Sequence, residues 1–389
     1  MLGVVTAVSA MSMAGCATAS AGSKGNASTG STVKIGMNME LSGAAAGYGN
    51  QMKQGFEMAV KQINAKGGIK VNGKKIKIKT VIRDNKSTTS GSSSVAAQLA
   101  GSDEVSAIVG PATTNDGTAA IPNITKAQVP SVSPSATDPN YTLQKNGKVQ
   151  PFVFRACFEN NFQGETAAHF ADNTLKAKNV AVLEDNSSDY GTGLAKAFKG
   201  AFKGTVVSTQ SFSEGDKDFN ALLTAIKGKK IDAIYAPGYY SELGLIIKQA
   251  RSMGITVPII GSDGMADPKL AEIAGSSNAS DIYYTTPFST KSGSTNSMAK
   301  TFMADFKKEY KTDAPTFSAL AYDSVLMVKQ AIEDANSTNS VKIAKALAKI
   351  KNMPAVTGEM TVNKSHDPEK PIMIEKMTNG KVVSAVEQK

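Results

Sequence analysis

The sequence predicts an α/β fold made of two doubly wound parallel-sheet lobes. Short apolar runs alternate with amphipathic helical stretches from residue 33 to residue 285, the pattern of parallel sheets covered by helices. That alternation halts and restarts near residue 155, which calls for two sheets. Successive strands are joined by stretches long enough for the helical crossovers that parallel neighbours require.

Residues 33–39 alternate as a strand and lead into a glycine-punctuated loop at 40–49. A helix follows, with Met52, Phe56, Ala59, Val60 and Ile63 on one face, and it stops at 64–68. A strand at 76–82 and a helix near 93–100 come next. Residues 105–137 then read as strand (105–109), polar turn (110–115), helix (116–128), strand (129–132) and a second polar turn (133–137). Both turns leave the carboxyl ends of adjacent strands, the edge where open α/β sheets take ligands. They carry Thr113, Thr114, Ser133, Ser135 and Thr137. Hydroxyls and backbone N–H groups at a helix start suit a carboxylate. A plainer reading stays open, in which Thr114 caps its own helix and the serines fill turns.

An extended stretch at 151–155 closes the first series. The second runs through helix 161–175, strand 180–183, loop 184–190, helix 192–202, strand 206–212, helix 219–226, strand 231–235, loop 236–240, helix 241–253, strand 259–260 and the turn 261–264. After a strand at 282–285 come three helices (297–310, 318–334 and 341–351) and short strands at 358–362, 372–376 and 382–386. The last pair is joined by the hairpin turn Thr378-Asn379-Gly380. We expect those helices to complete the first lobe (33–155 plus 287–355) and those strands the second (156–286 plus 356–389). Such a chain forms a clamp with a multi-crossing hinge and a cleft between the two lobes.

Composition narrows the function. The hydrophobic share of 41% and charged share of 20% are ordinary for a soluble protein, and no apolar run is long enough for a transmembrane helix. The net charge of +10 comes almost wholly from dispersed lysines; arginine occurs only at Arg83, Arg155 and Arg251, and tryptophan is absent. Phosphate forks and stacking platforms are thus missing, and no nucleic-acid partner is expected. Residues 1–15 have the apolar character of a signal peptide. Cys16 follows the small residues Ala14 and Gly15, and 16–32 is a Ser/Gly/Thr/Ala tether. Cys157, in an apolar run, reads as a buried small residue.

Enzymatic chemistry finds few footholds. His169 and His366 are the only histidines and fit surface or interhelix roles. Metal-ligand spacing, a nucleophile elbow and a phosphate-binding loop are all lacking. Gly191-Thr192-Gly193 lacks the third glycine of a dinucleotide site, and Glu184, Asp185 and Asp189 fit a solvated loop. No catalytic residue, cofactor or metal is expected.

Taken in order, several segments resemble the type I solute-binding proteins of ABC transporters, in particular the branched-chain amino acid receptors. They are Val33-Lys34-Ile35-Gly36, Ser42-Gly43 through Tyr48-Gly49, Ile63-Asn64-Ala65-Lys66-Gly67-Gly68-Ile69, Val109-Gly110-Pro111, Ser133-Pro134-Ser135-Ala136-Thr137, Asp189-Tyr190-Gly191, Gly238-Tyr239 with Glu242-Leu243-Gly244, and Gly261-Ser262-Asp263-Gly264. The resemblance spans essentially the whole chain past the tether and implies the type I periplasmic binding protein fold. It implies that Thr114 and Thr137 donate to a ligand carboxylate and that the Ser135 carbonyl accepts from the α-ammonium. Tyr190 and Tyr239 would close over the backbone end, and Asp263, where the family often has Glu, would pair with the ammonium. Tyr48, Ala112, Thr113 and Phe317 would line the side-chain pocket.

Ala14-Gly15-Cys16 likewise resembles a bacterial lipobox, which implies lipidation of Cys16 and anchoring to the membrane outside the cytoplasm. The expected protein is a monomer that captures a small aliphatic amino acid for the membrane subunits of an ABC permease. The alternatives are a same-fold receptor for an amide, urea, γ-amino acid or aromatic acid, and an envelope enzyme.

Overall fold

The structure is a computed structural model that describes residues 25–28, 30–291 and 296–388. Cys16 and residues 1–15 lie outside the described residues. The first sheet is built from β1 (Thr32–Met39), β2 (Ile69–Val71), β3 (Lys74–Asp84), β4 (Ala107–Val109), β5 (Ser131–Ser133) and β6 (Val153–Arg155). Helices α1 (Ala46–Ala65), α2 (Thr89–Ala100) and α3 (Thr114–Ala127) connect them. The strand order is β2-β3-β1-β4-β5-β6, parallel except for the β2–β3 pair. The chain starts at β1, runs outward to β3 and returns to β4 on the other side. The switch point therefore lies between the carboxyl ends of β1 and β4.

The second sheet repeats the plan. Its elements are α4 (Asn160–Asn173), β7 (Asn179–Asp185), α5 (Asp189–Ala201), β8 (Thr205–Phe212), α6 (Asn220–Lys227), β9 (Ala233–Tyr235), α7 (Tyr240–Ser252), β10 (Ile259–Gly261), α8 (Lys269–Ala274) and β11 (Ile282–Thr286). Helices α9 (Ser297–Tyr310), α10 (Thr316–Ala335) and α11 (Ser340–Leu347) follow, then β12 (Thr361–Val362), β13 (Pro368–Glu369), β14 (Ile372–Thr378) and β15 (Lys381–Gln388). The order β15-β14-β11-β10-β9-β7-β8 places a second switch point between β7 and β9.

Local sequence explains these elements. In α1, Met52, Phe56, Ala59, Val60 and Ile63 are buried as their spacing requires. In β3, Ile76 and Ile78 face inward while Lys75, Lys77 and Lys79 face out. Thr88 caps α2 and Ser188 caps α5, each hydroxyl accepting a backbone N–H at 3.0 Å. α10 packs on α1, with Ser318 donating to the Gln51 carbonyl at 2.7 Å and Tyr322 to Gln62 Oε1 at 2.6 Å. β14 adds antiparallel to β11, and the turn into β15 uses Asn379 and Gly380 at positive φ.

Several boundaries differ from the sequence reading. Ile69–Val71 pairs with the start of β3 through an Asn72–Gly73 turn in the left-handed region, and α8 is an extra short helix. The third late helix ends at Leu347. Of the expected strand at 358–362, Met360 makes a single antiparallel bridge with Met353, and Thr361 and Val362 pair with Glu369 and Pro368. Part of the stretch expected as a tether, 16–32, is ordered: β1 takes in Thr32. Asn26 is already docked, its side chain donating to the carbonyls of Ala100 at 2.6 Å and Val105 at 3.1 Å, because the α2–β4 link leaves those acceptors open.

Candidate functional site

Each switch point sends two loops into the crevice between the lobes. From the first sheet come the β1–α1 loop with Tyr48 at its helix start, and the β4–α3 loop with Ala112, Thr113 and Thr114. The β5 turn adds Ser135. The second sheet supplies Tyr190 at the start of α5, Tyr239 just before α7, and Asp263 and Gly264 after β10. With Phe317 of α10, these residues surround one small cavity. Nine of the ten residues singled out for the ligand line it; Thr137 does not. Thr137 is fully buried just behind, where the next residue, Asp138, donates its N–H to Thr114 Oγ1 at 3.4 Å. Its hydroxyl has no partner among the described residues.

The capping reading of Thr114 is corrected. α3 begins at Thr114, two residues before the expected 116, so the cap is Thr113, whose hydroxyl accepts from Asp116 N at 3.4 Å and donates to Glu40 Oε1 at 3.2 Å. Glu40 also takes the N–H groups of Ala112 and Thr113 at 3.0 and 3.1 Å, bracing that loop from below. The serines do fill turns. Ser133 Oγ donates to the Pro111 carbonyl and accepts from Ala136 N, and Ser135 Oγ donates to the Ala112 carbonyl at 2.7 Å. The carbonyl of Ser135 accepts no hydrogen bond among the described residues.

The second-sheet side is aromatic and acidic. The rings of Tyr190 and Tyr239 stack at 5.1 Å and 3°. Tyr190 donates to Asp263 Oδ1 at 2.6 Å, and its hydroxyl accepts from Gly264 N at 2.9 Å. Asp263 N–H is held by Gln163 Oε1 at 2.8 Å. Gly264 is required at this turn, since a Cβ there would collide with the Gly238 carbonyl. Asp263 is 3% exposed. Burial pushes its carboxyl up to about 6, while the Tyr190 and Gln163 hydrogen bonds pull it down. Burial likewise raises the Tyr48, Tyr190 and Tyr239 hydroxyls well above their usual range, so all three stay neutral.

Contacts across the crevice hold the lobes together. Tyr48 donates to the Gly264 carbonyl at 2.5 Å and accepts from Tyr240 N at 3.1 Å. Tyr240 donates to the Ala44 carbonyl at 2.9 Å, and Gln51 donates to Asp267 at 2.8 Å. Beside the cavity lies a larger, polar one that shares Thr113 and Tyr239 and includes Asp116 and Glu214. Burial, and then Glu40, push the Asp116 carboxyl up to about 8.

The remaining candidates take structural places. Cys157 is fully buried, and burial raises its thiol to about 12. Asp185 accepts from Ser187 and Ser188 within its own loop. His366 is buried, stacked on Phe154 at 4.1 Å, and His169 is exposed on α4. Among the described residues, no group of three His, Cys, Asp or Glu could hold a metal ion. Sequence reasoning missed Gly264 and Gln163 as parts of the site and Glu40 as the brace under it. Only Gly264 had a local signal, an Asp-Gly pair at a strand end.

A family model described as periplasmic binding protein matches residues 32–381, nearly all of the described chain. The chain belongs to the periplasmic binding protein family. Relatives agree in sequence and in structure. The Leu/Ile/Val-binding protein BraC3 of Rhizobium johnstonii is 32% identical over 358 residues, covering 91% of this chain and 94% of that protein. A crystal structure of the branched-chain amino acid transporter substrate-binding protein LivJ from Streptococcus pneumoniae, in complex with isoleucine, is 42% identical with a TM-score of 0.86. It covers 92% of this chain and 100% of that one. The leucine-binding protein LivK from Thermotoga maritima is 31% identical with a TM-score of 0.82, covering 92% and 98%. These matches run across both sheets, so the two-lobed type I architecture is that of the family.

Proposed function

We propose that this periplasmic binding protein captures a branched-chain or similar aliphatic amino acid in the crevice and delivers it to the membrane subunits of an ABC permease. The observation that supports the reading most is Asp263. Its carboxylate is buried at the end of the cavity, and no lysine or arginine pairs with it among the described residues. Leaving an ion in that state is costly. The missing partner is the α-ammonium of the ligand, with the Ser135 carbonyl as a second acceptor.

The other end of the zwitterion goes to the first sheet. Thr114 Oγ1 already accepts from Asp138 N–H, so its own proton is free for a carboxylate oxygen. Thr137, just behind the cavity wall, adds a hydroxyl that has no partner among the described residues. Tyr48, Ala112, Thr113 and Phe317 take the aliphatic side chain, and Tyr190 and Tyr239 cover the backbone. One buried CH2 contributes about 0.8 kcal/mol, so valine should bind at most about fourfold more weakly than leucine or isoleucine. Contacts divided between the lobes favour the closed form, which the permease recognises.

The working protein on this reading is a monomer, processed after residue 15 and anchored by a lipid on Cys16. Calorimetric titration with the twenty amino acids tests the ligand. One-to-one binding of leucine, isoleucine or valine without turnover is expected; no binding by any aliphatic member would overturn the reading.

A further inference from the structure

One guanidinium sits behind the carboxylate end of the proposed site. Arg155 closes β6 and is the bulkiest fully buried side chain. Its Nη1 donates to the Ala136 carbonyl at 2.9 Å, and its Nη2 to the Asp138 carbonyl at 2.8 Å and the Thr142 hydroxyl at 3.2 Å. Its Nε is ion-paired with Asp367 Oδ1 at 2.7 Å. The two carbonyls flank Thr137, the one proposed ligand residue that does not reach the cavity wall.

Peptide geometry gives those contacts a direction. In a trans peptide the C=O and the N–H point opposite ways. The Ala136 carbonyl, turned toward Arg155, therefore turns the Thr137 N–H away from it. A cationic donor on that carbonyl also polarises the peptide unit and makes its N–H a stronger donor. The next unit is fixed similarly: the Thr137 carbonyl accepts from Asn160 N at 2.8 Å, and the Asp138 N–H on its far side reaches Thr114 Oγ1.

We infer that Arg155 is a positioning residue for the ligand carboxylate, orienting and polarising the Ala136–Thr137 peptide so that Thr137 and Thr114 offer their donors together. The inference rests on the receptor reading above. Asp367 completes the device by holding the guanidinium in place. Its loop is fastened to β6 by His366, whose ring stacks on Phe154 and whose Nδ1 lies 2.9 Å from the Val153 carbonyl. The donor loop is thereby braced from the β12–β13 loop.

Arg155→Lys and Asp367→Asn test it, with leucine titrated by calorimetry and the Thr137 amide followed by 15N–1H NMR. A lysine cannot span two carbonyls; the asparagine keeps the shape of Asp367 and removes its charge. In the wild type, leucine should move the Thr137 amide downfield. Arg155→Lys should weaken binding about tenfold, the loss of one charged contact, and remove most of that shift. Asp367→Asn should do both to a smaller degree. Folded variants that bind leucine as the wild type does would overturn the inference. So would weaker binding with the full Thr137 shift, the signature of a merely structural role. Should Arg155→Lys fail to fold, Asp367→Asn decides. A wild-type chain that binds no aliphatic amino acid instead removes the receptor reading, and the first titration shows it.

Discussion

Replacing Asp263 with asparagine should move ligand affinity and unliganded stability in opposite directions. The side chain is 3% exposed and its carboxylate accepts from Tyr190 at 2.6 Å. Asparagine keeps the shape and an acceptor oxygen but loses the charge that faces the ammonium. A hydrogen bond to a charged group contributes about 1.5–3 kcal/mol, so leucine binding at pH 7.5 should weaken roughly 10- to 150-fold. Asp263→Ala leaves the ammonium with the Ser135 carbonyl alone and no counter-charge, and the loss should approach the roughly 3–5 kcal/mol of a broken buried pair. Without ligand the sign reverses. The folded carboxyl holds its proton up to about pH 6, against about 4 in the unfolded chain. Its penalty is absent below pH 4, grows as pH rises to 6, and is complete above. At pH 7.5 the asparagine variant should therefore melt higher than the wild type, by up to about 3 kcal/mol of stability. Calorimetric titration and thermal unfolding over pH 3.5–8, as about the range needed to span both titrations, read out the two effects. An affinity within threefold of wild type would refute the reasoning.

Other perturbations follow from the same geometry. Tyr190→Phe strips Gly264 N–H and Asp263 of a shared hydroxyl; leucine binding by calorimetry should fall about five- to thirtyfold, for a loss of roughly 1–2 kcal/mol. Asp116, with its folded carboxyl at about 8, lowers stability as pH rises from about 4 through 8. Asp116→Asn should therefore gain melting temperature relative to wild type as the pH of the scan is raised across that window, and a constant difference contradicts this. Lys370 and Asp323 form a fully buried pair at 3.8 Å between α10 and the β13–β14 link. Lys370→Met leaves Asp323 without its cation and should cost about 3 kcal/mol in urea unfolding; a loss under about 1 kcal/mol would assign the pair little weight.

Much of this architecture is legible because its signals are periodic. The alternation of β1, the apolar face of α1 and the restart after Arg155 suffice for two parallel sheets. Parallel sheets in turn point to the strand ends where Tyr48, Thr114, Tyr190, Tyr239 and Asp263 meet. Shorter elements escape for lack of a period. β2 is three residues long and exists through its pairing with β3, while α8 spans six residues. Helix starts are blurred by a residue or two, enough to confuse the cap Thr113 with its neighbour Thr114. Glu40, Gln163 and Arg155 were opaque for another reason. Each acts through backbone groups distant in sequence, and nothing in their own neighbourhoods announces a partner.

The central claim is that one small zwitterion is held by its acid end on the first sheet and by its amine on the second. A crystal structure of the chain grown with leucine tests this most directly. The account predicts the leucine ammonium within about 3 Å of Asp263 and its carboxylate on the donors of Thr114 and Thr137. Leucine lying outside the crevice, or with its two ends exchanged, would contradict it.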